Sequence, residues 1–339
     1  MSRPTIADIA RAAGVSNTAV SFALNGRPGV AEPTREKIMA IAHDMGWTPN
    51  RAARALSTSR VDALGLIITA PYAELARDAF FLQLIAGVER KLAGSPVALV
   101  LKIVEGFADE LAAIRQWHGE SRVDGLILVN PRPEDPRPEL TNQLGIPTVF
   151  IGKPGTNEPF SSVFIDDALV MDTLIEDLAA RGTRRVAYLH SHAHYSHGEA
   201  RLATLGRHRE GLTAIDHGVP SNSITEAHAA IRDFVSMLDL TPTTTFVCES
   251  EDLTLATLRA LQDLEINVPA DAGVVSWESS PGLTLRSPAV STLERSPADM
   301  GEAAVDLLRD MRDNPGPRTR ELECPRLNAR DTLPANTQG

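Results

Sequence analysis

Residues 5–24 read TIADIARAAGVSNTAVSFAL. Thr5 followed by Asp8 opens a capping box, in which the hydroxyl and the acid each serve a backbone N–H that the start of a helix leaves without a partner. Ile6, Ile9 and Ala10 then fall on one helical face. Gly14 stops that helix, because the C-terminal turn needs a residue that tolerates positive φ. Ser16 caps a second helix, in which Val20 and Leu24 continue inward. A small residue at Ala10, then Gly14, then Val20 is the spacing that lets the two helices of a helix-turn-helix cross closely.

Working outward, Pro33 suits the first turn of a third helix. Ile38, Ile41, Ala42 and Met45 recur at helical spacing, and Gly46 ends the run. Such a small core fits a tethered head, or equally an ordinary helical mini-domain; charge separates the two. The first 60 residues hold eight Arg or Lys against four Asp or Glu, a balance of +4. The whole chain carries −11, which leaves −15 for the remainder. A basic head on an acidic body places the polyanion-binding surface at the N-terminus.

A chain of 339 residues suits two or three domains, and 43% hydrophobic residues allow substantial cores. No run of 18 apolar residues occurs, and polar residues follow Met1, so a soluble, cytoplasmic protein without membrane contact is expected. Cys248 and Cys324 are too far apart in sequence for metal-ligand spacing and read as small buried residues in a reducing compartment. From Val61 onward short apolar strands alternate with amphipathic helices: ALGLIIT (63–69), PVALVLKIV (96–104), VDGLILV (123–129) and TVFIG (148–152). After the Pro- and Gly-rich GKPGTNEP the series restarts at SSVFID (161–166), then RRVAYLH (184–190), TTFVCE (244–249) and AGVVSW (272–277). This alternation predicts parallel sheets wound on both faces, in two similar α/β halves.

The run from TIADIARAAGVS through VSFALNG, then TREKIMAIAHDMGWTPNRAARALST, resembles the head and hinge of the lactose-repressor/galactose-repressor family in order and spacing. The resemblance implies an N-terminal all-α helix-turn-helix head plus an α/β periplasmic-binding-protein-like core of two doubly wound parallel-sheet lobes. The boundaries expected are a head at 1–48, a hinge at 49–60 and a core at 61–339. Within the core, one lobe takes about 61–160 with 291–319 and the other 161–290 with 320–331. In the family the second helix reads base edges in the major groove. The matching positions are Ser16, Asn17, Thr18, Ser21 and Phe22. Asn17 has the donor–acceptor pair that suits adenine, and Thr18 can donate, accept or press its methyl on thymine. Many members carry Arg where Phe22 stands; phenylalanine would instead touch a thymine methyl or pack against the head. Asn25, Thr34 and Arg35 are candidates for phosphate contacts. The PNRAARALS hinge is too short to hold a helix alone in water. By resemblance it folds in the minor groove, with Leu56 as an apolar wedge and Arg51 and Arg54 near the backbone.

Family effectors bind where strand C-termini face one another across the cleft. Carried over residue by residue, the cleft set is Phe80, Phe81, Lys153, Asp166, Arg201, Glu251, Trp277 and Glu278. Two motifs depart from the family: its Asn-Asp is Ser250-Glu251 here, and its GYDD is SWES. Each acid is one methylene longer, which would shift ligand preference. His190, His192, His194 and His197 follow a strand near the expected cleft lip; they read as a polar loop, or as a Zn or Ni site if two imidazoles share a face.

No GxGxxG, P-loop, G-x-S-x-G or HExxH pattern occurs, which argues against an enzyme, and no cofactor or metal is expected. A periplasmic transport protein would have no use for a basic helix-turn-helix. The expected function is that of a homodimeric, sequence-specific repressor on a pseudo-palindromic double-stranded DNA operator, controlled by a sugar-like effector. The alternative keeps the DNA binding but has the core answer to a protein partner or to no ligand. The polar tail TLPANTQG has no apolar heptad, so a dimer is expected rather than a coiled-coil tetramer.

Overall fold

The computed structural model describes residues 4–24, 26–47, 60–191, 194–207, 209–220, 224–240 and 243–335. The chain divides into two compact units, Met1–Val61 and Asp62–Gly339.

In the first unit α1 (Ile6–Ala13), α2 (Asn17–Leu24) and α3 (Glu32–Asp44) enclose Ile9, Ala10, Ala13, Val20, Ala23, Ile38 and Ala42. The expected capping box forms: Asp8 N–H donates to Thr5 Oγ1 at 3.3 Å and Thr5 N–H to Asp8 Oδ2 at 3.0 Å. Gly14 closes α1 at φ +70°, and Ser16 Oγ accepts from Ala19 N–H at 3.1 Å to start α2. Two basic side chains finish the helix ends. Lys37 Nζ donates to Ala13 O and Arg35 Nη1 to Ala23 O, both at 2.9 Å. Each satisfies a terminal carbonyl that has no intrahelical partner. The expected hinge, with Arg51, Arg54 and Leu56, lies outside the described residues, and so does Asn25.

The second unit holds two six-stranded sheets among the described residues. The first takes β1 (Ala63–Thr69), β2 (Ala98–Val104), β3 (Gly125–Leu128), β4 (Thr148–Ile151), β5 (Ser161–Phe164) and, from far along the chain, β11 (Thr319–Glu321), in the order β11-β5-β4-β3-β1-β2. The second takes β6 (Arg185–His190), β7 (Thr213–Gly218), β8 (Thr244–Cys248), β9 (Gly273–Ser276), β10 (Ser291–Leu293) and β12 (Leu327–Asn328), in the order β12-β10-β9-β8-β6-β7. Every named pairing is parallel except β12 against β10. β1 is buried along its whole length, which is why ALGLIIT reads as an unbroken apolar run rather than an alternation.

Helices follow the strands: α4 (Tyr72–Leu75), α5 (Ala79–Leu92), α6 (Phe107–Gly119), α7 (Arg137–Leu144), α8 (Asp167–Ala180), α9 (Ser196–Leu205), α10 (Ile224–Ser236), α11 (Glu251–Asp263), α12 (Pro281–Thr284) and α13 (Pro297–Asp313). α5 and α13 approach backbone to backbone. A Cβ at Gly87 would lie 1.9 Å from Ala298 O, and one at Gly301 would lie 2.4 Å from Leu84 O.

The chain crosses between lobes after Phe164, Leu293 and Glu321, within a few residues of the expected boundaries at 160, 290 and 319. The first crossing corrects a lobe assignment: Ser161–Phe164 pairs with β4 and β11 and so belongs to the first lobe. A strand joins whichever sheet offers its N–H and C=O groups a ladder, and GKPGTNEP merely loops between neighbours β4 and β5. Likewise Ser291–Leu293 pairs with β9 in the second lobe, and Thr319–Glu321 completes the first.

Candidate functional site

On α2 the side chains of Ser16, Asn17 and Thr18 are exposed, while Ser21 and Phe22 are half-buried. These residues occupy the first two turns, where helix N-terminal positions project from the head. Phe22 is half-buried against the head. Its ring packs over Gly29, whose φ of +109° admits the chain so closely that an added Cβ would sit 3.4 Å from Phe22 Cδ2. Thr34 is half-buried at the start of α3. Arg35 is a correction. Its guanidinium braces the head by donating to Ala23 O at 2.9 Å and Arg27 O at 2.7 Å, instead of projecting as a phosphate ligand.

Between the lobes of the second unit lies a cavity of about 380 Å³. Its floor is made where strands end: Thr69 and Val129 from the first lobe, Ser191 and Glu249 from the second. Strand ends leave carbonyls behind and helix starts bring N–H groups forward, so polar recognition concentrates here. Phe80 and Phe81, edge to face at 5.4 Å, supply an apolar wall. Behind the first-lobe floor sits a fully buried network. Arg137 Nη1 donates to Glu110 at 2.6 Å and Nη2 to Asp135 at 2.6 Å, with Val129 O and Asn130 O also accepting. Thr69 Oγ1 donates to the same Glu110 carboxylate at 2.6 Å, so the network fixes the end of β1. Burial opposes the Arg137 charge, yet Asp135 and Glu110 outweigh it and raise its pKa.

Arg201, at the heart of the second-lobe wall, is 3% exposed. Its Nε and Nη2 both donate to Asp167 Oδ1, at 2.8 and 2.6 Å, and Nη1 reaches Glu249 Oε1 at 3.4 Å. Its guanidinium lies 4.1 Å over the Trp277 ring. Burial works against the charge, but Asp167, Tyr188 and Glu249 more than offset it and raise the Arg201 pKa. Burial also pushes Asp167 up, and Arg201, His197 and Arg295 reverse this and hold it below the usual carboxylate range. Enclosure, then the Arg201 charge, drives His197 down to about 3, which keeps it neutral.

The acids Glu251 and Glu278 meet at the opposite end. Glu251 N–H donates to Glu278 Oε2 at 3.1 Å at the start of α11. Burial, then the Asp78 carboxylate, lifts the Glu278 carboxyl to about 7. Asp78 itself caps α5, accepting from Phe80 N–H at 2.8 Å. The lobes touch at both ends of the cleft: Arg77 Nε pairs with Asp252 at 2.9 Å, and Ser196 N–H donates to Pro131 O at 2.8 Å.

Of the eight cleft candidates, Phe80, Phe81, Arg201, Glu251 and Glu278 line the cavity. Asp166, Lys153 and Trp277 are corrections. Asp166 is turned into a helix cap, accepting from Ala168 N–H and Leu169 N–H at 3.1 Å, and its neighbour Asp167 faces the cavity instead. Lys153 Nζ lies 3.7 Å over the Phe164 ring, away from the cavity lining. Trp277, nearly without exposure, is the platform under Arg201 rather than a wall. Asp78, Asp167, Glu249 and Arg295 line the cavity and were missed. Three of them directly follow a strand or open a helix, the position that α/β ligand sites use, and that rule alone would have found them. The histidines divide: His194 and His197 line the cavity, His190 turns to Asp216, and His192 lies outside the described residues. No metal-ligand cluster forms among the described residues.

The family of bacterial regulatory proteins named lacI matches residues 5–50, and a periplasmic binding protein-like domain matches residues 175–333. The chain thus carries a LacI-family helix-turn-helix region and a periplasmic-binding-protein-like region. The chain is 28% identical over 315 residues to the HTH-type transcriptional regulator CelR of Thermobifida fusca, covering 91% of this chain and 92% of the relative. It is 26% identical over 326 residues to the ribose operon repressor of Haemophilus influenzae, covering 94% and 95%. A solved CelR–cellobiose complex aligns with TM-score 0.68 at 25% identity, over 97% of this chain and 100% of that one. The lac repressor dimer bound to operator and the anti-inducer ONPF shares the fold, with TM-score 0.82 at 21% identity over 98% and 100%. With its LacI-type head and its ligand-binding core the chain is a DNA-binding transcriptional regulator, and the relatives it matches are regulators rather than enzymes. No helix among the described residues is long and apolar enough to cross a membrane.

Proposed function

We propose that the protein is a cytoplasmic repressor that binds a pseudo-palindromic operator as a homodimer and is controlled by a small polar metabolite of the sugar class held between the lobes. One observation carries this reading. A single chain joins a capped helix presenting Asn17 and Thr18 to a cleft whose 380 Å³ cavity ends in fixed charges and one aromatic wall. A cavity of that size takes a small molecule, which favours a metabolite over a protein partner as the signal. The names of the relatives, which concern cellobiose and ribose, support a sugar. Asn17 and Thr18 read base edges, Ser16, Ser21 and Phe22 shape that reading, Asn25, Thr34, Arg51 and Arg54 hold the backbone, and Leu56 wedges the central step. Closure of the lobes around the effector then shifts the affinity for DNA, by an amount set by its preference for one state.

The test is selection from a random duplex library, with the retained molecules sequenced. A two-fold symmetric consensus is the expected outcome. No retention even at low salt, where phosphate contacts are strongest, overturns the reading. Calorimetry with sugars then separates a metabolite-controlled core from one that answers to a protein.

A further inference from the structure

Between residues 5 and 47 the head carries Arg11, Arg27, Arg35 and Lys37. Arg11 pairs with Asp8 at 3.3 Å, Lys37 donates to Ala13 O, and Arg35 donates to Ala23 O and Arg27 O. Arg27 differs: it is exposed and makes no ion pair among the described residues. Its backbone, by contrast, is pinned. Arg27 N–H donates to Phe22 O at 2.9 Å, and Arg27 O accepts from Arg35 Nη2 at 2.7 Å. Gly26, at φ +66°, makes the turn that brings Arg27 back beside Phe22, and Pro28 restricts the backbone of the residue before it.

An exposed guanidinium on a fixed backbone therefore stands just past the C-terminus of α2. At about 1.5 Å per residue, α2 spans about 10 Å from Asn17 to Leu24. The major groove is about 12 Å wide. With Asn17 and Thr18 at the base edges, a side chain beyond the far end of α2 meets the wall of the groove, where the phosphates are. A helix C-terminus is otherwise a poor place for a phosphate, because the last carbonyls carry the negative pole of the dipole. Arg35 offsets this by engaging Ala23 O at the helix end and Arg27 O in the turn.

We infer that Arg27 clamps a phosphate of the operator at the C-terminal end of α2, and that Arg35 is the residue that positions it. The inference rests on the reading that α2 enters the major groove, and it adds a contact which that reading does not contain. A phosphate carries no sequence information, so Arg27 supplies affinity and register while Asn17 and Thr18 supply discrimination. The brace matters because a long side chain on a loose loop loses backbone as well as rotamer freedom when it binds. Fixing the turn through Phe22 O and Arg35 removes the backbone part of that loss in advance.

The experiment titrates the full chain with duplexes retained in the library selection, at several salt concentrations, for the parent, Arg27→Met, Arg27→Lys and Arg35→Met. Arg27→Met should weaken every retained duplex by a similar factor and flatten the slope of log affinity against log salt by about 0.9, with the consensus unchanged. Arg27→Lys should restore the slope, since a phosphate answers to charge. Arg35→Met should lose the same slope while the protein still melts cooperatively, and adding Arg27→Met to it should flatten the slope no further. If Arg35→Met does not fold, Arg35→Lys, which keeps the charge without the planar fork that holds two carbonyls, takes its place. A parental slope in Arg27→Met overturns the inference and leaves the DNA-binding reading intact. A changed consensus base with an unchanged slope overturns it in favour of a base contact. A folded Arg35 variant with the parental slope overturns the positioning role. A parent that retains no duplex at low salt overturns the DNA-binding reading, and the inference with it.

Discussion

Arg77 Nε lies 2.9 Å from Asp252 Oδ2, tying the two lobes together at the mouth of the cleft. The side chains are 37% and 28% exposed, so solvent and salt limit the pair to ~0.2–1 kcal/mol. Because its partners sit on different lobes, that energy favours the closed arrangement. Arg77→Ala should weaken effector binding by up to about fivefold, and added salt should do the same to the parent. Calorimetry at low and high salt measures both; an unchanged variant would show that the pair does not bias closure.

Arg201→Met should destabilise the second unit by ~3–5 kcal/mol, because it strands Asp167 and Glu249 in a buried site. Adding Asp167→Asn to that variant should recover part of the loss, since no buried charge is then left facing an apolar chain at Asp167. Urea denaturation of the three proteins checks the order of stabilities. Strict additivity would sink the idea that the three groups act as one unit.

The pH response has two opposing parts. Glu278 is raised in the fold, so its contribution to stability is full below its ordinary 4.5 and is lost as pH rises through about 7. His197 is depressed, so its contribution is present above its ordinary 6.5 and is lost as pH falls toward about 3. Glu278→Gln should therefore gain stability relative to the parent as pH rises from 4.5 to 7, and His197→Asn should gain as it falls below 6.5. Melting curves across this range, without ligand, give the two differences; the same trend for both variants would contradict the assignment.

Gly87→Ala should cost ~1–3 kcal/mol or more, since its Cβ would meet the Ala298 carbonyl, which is backbone and cannot rotate aside. Gly119→Ala, at the end of α6 with nothing within 4 Å, serves as the contrast. It should be neutral or stabilising by ~0.4–1 kcal/mol through the unfolded chain. Denaturant midpoints of the two variants decide the matter.

In the head, Asn17→Ala should leave folding intact and reduce discrimination for the selected operator by ~1–3 kcal/mol. Arg35→Met should act the other way, freeing Ala23 O and Arg27 O and speeding hydrogen exchange at the end of α2. Equal losses of operator discrimination, with exchange unaltered in both, would mean that Arg35 is a DNA contact after all.

The head was legible because its signals are local. A cap, a glycine stop and an apolar face lie within a few residues of one another, and Thr5, Asp8, Gly14 and Ser16 do what their chemistry suggests. The strands of the core were legible because buried parallel strands announce themselves as apolar runs. The cleft was read less well, for a definite reason. In the doublet Asp166-Asp167 one carboxylate caps α8 and the other grips Arg201, and composition cannot tell which lone pairs the backbone will claim. Arg77 and Asp252 are 175 positions apart, so no window along the chain contains their pairing. The loop GKPGTNEP has the composition of a lobe boundary, yet only the pairing of β5 with β4 and β11 reveals it as an internal connection.

That pairing governs how the protein is made. The first lobe lacks β11 until after residue 319 has been synthesised, by which time nearly all of the second lobe has emerged. Any folding of the first lobe during translation therefore proceeds without its edge strand until the second lobe is largely synthesised. A premature stop anywhere before β12 leaves at least one sheet a strand short, so no product that ends before Leu327 carries two finished sheets. Only a chain that reaches β12 completes both.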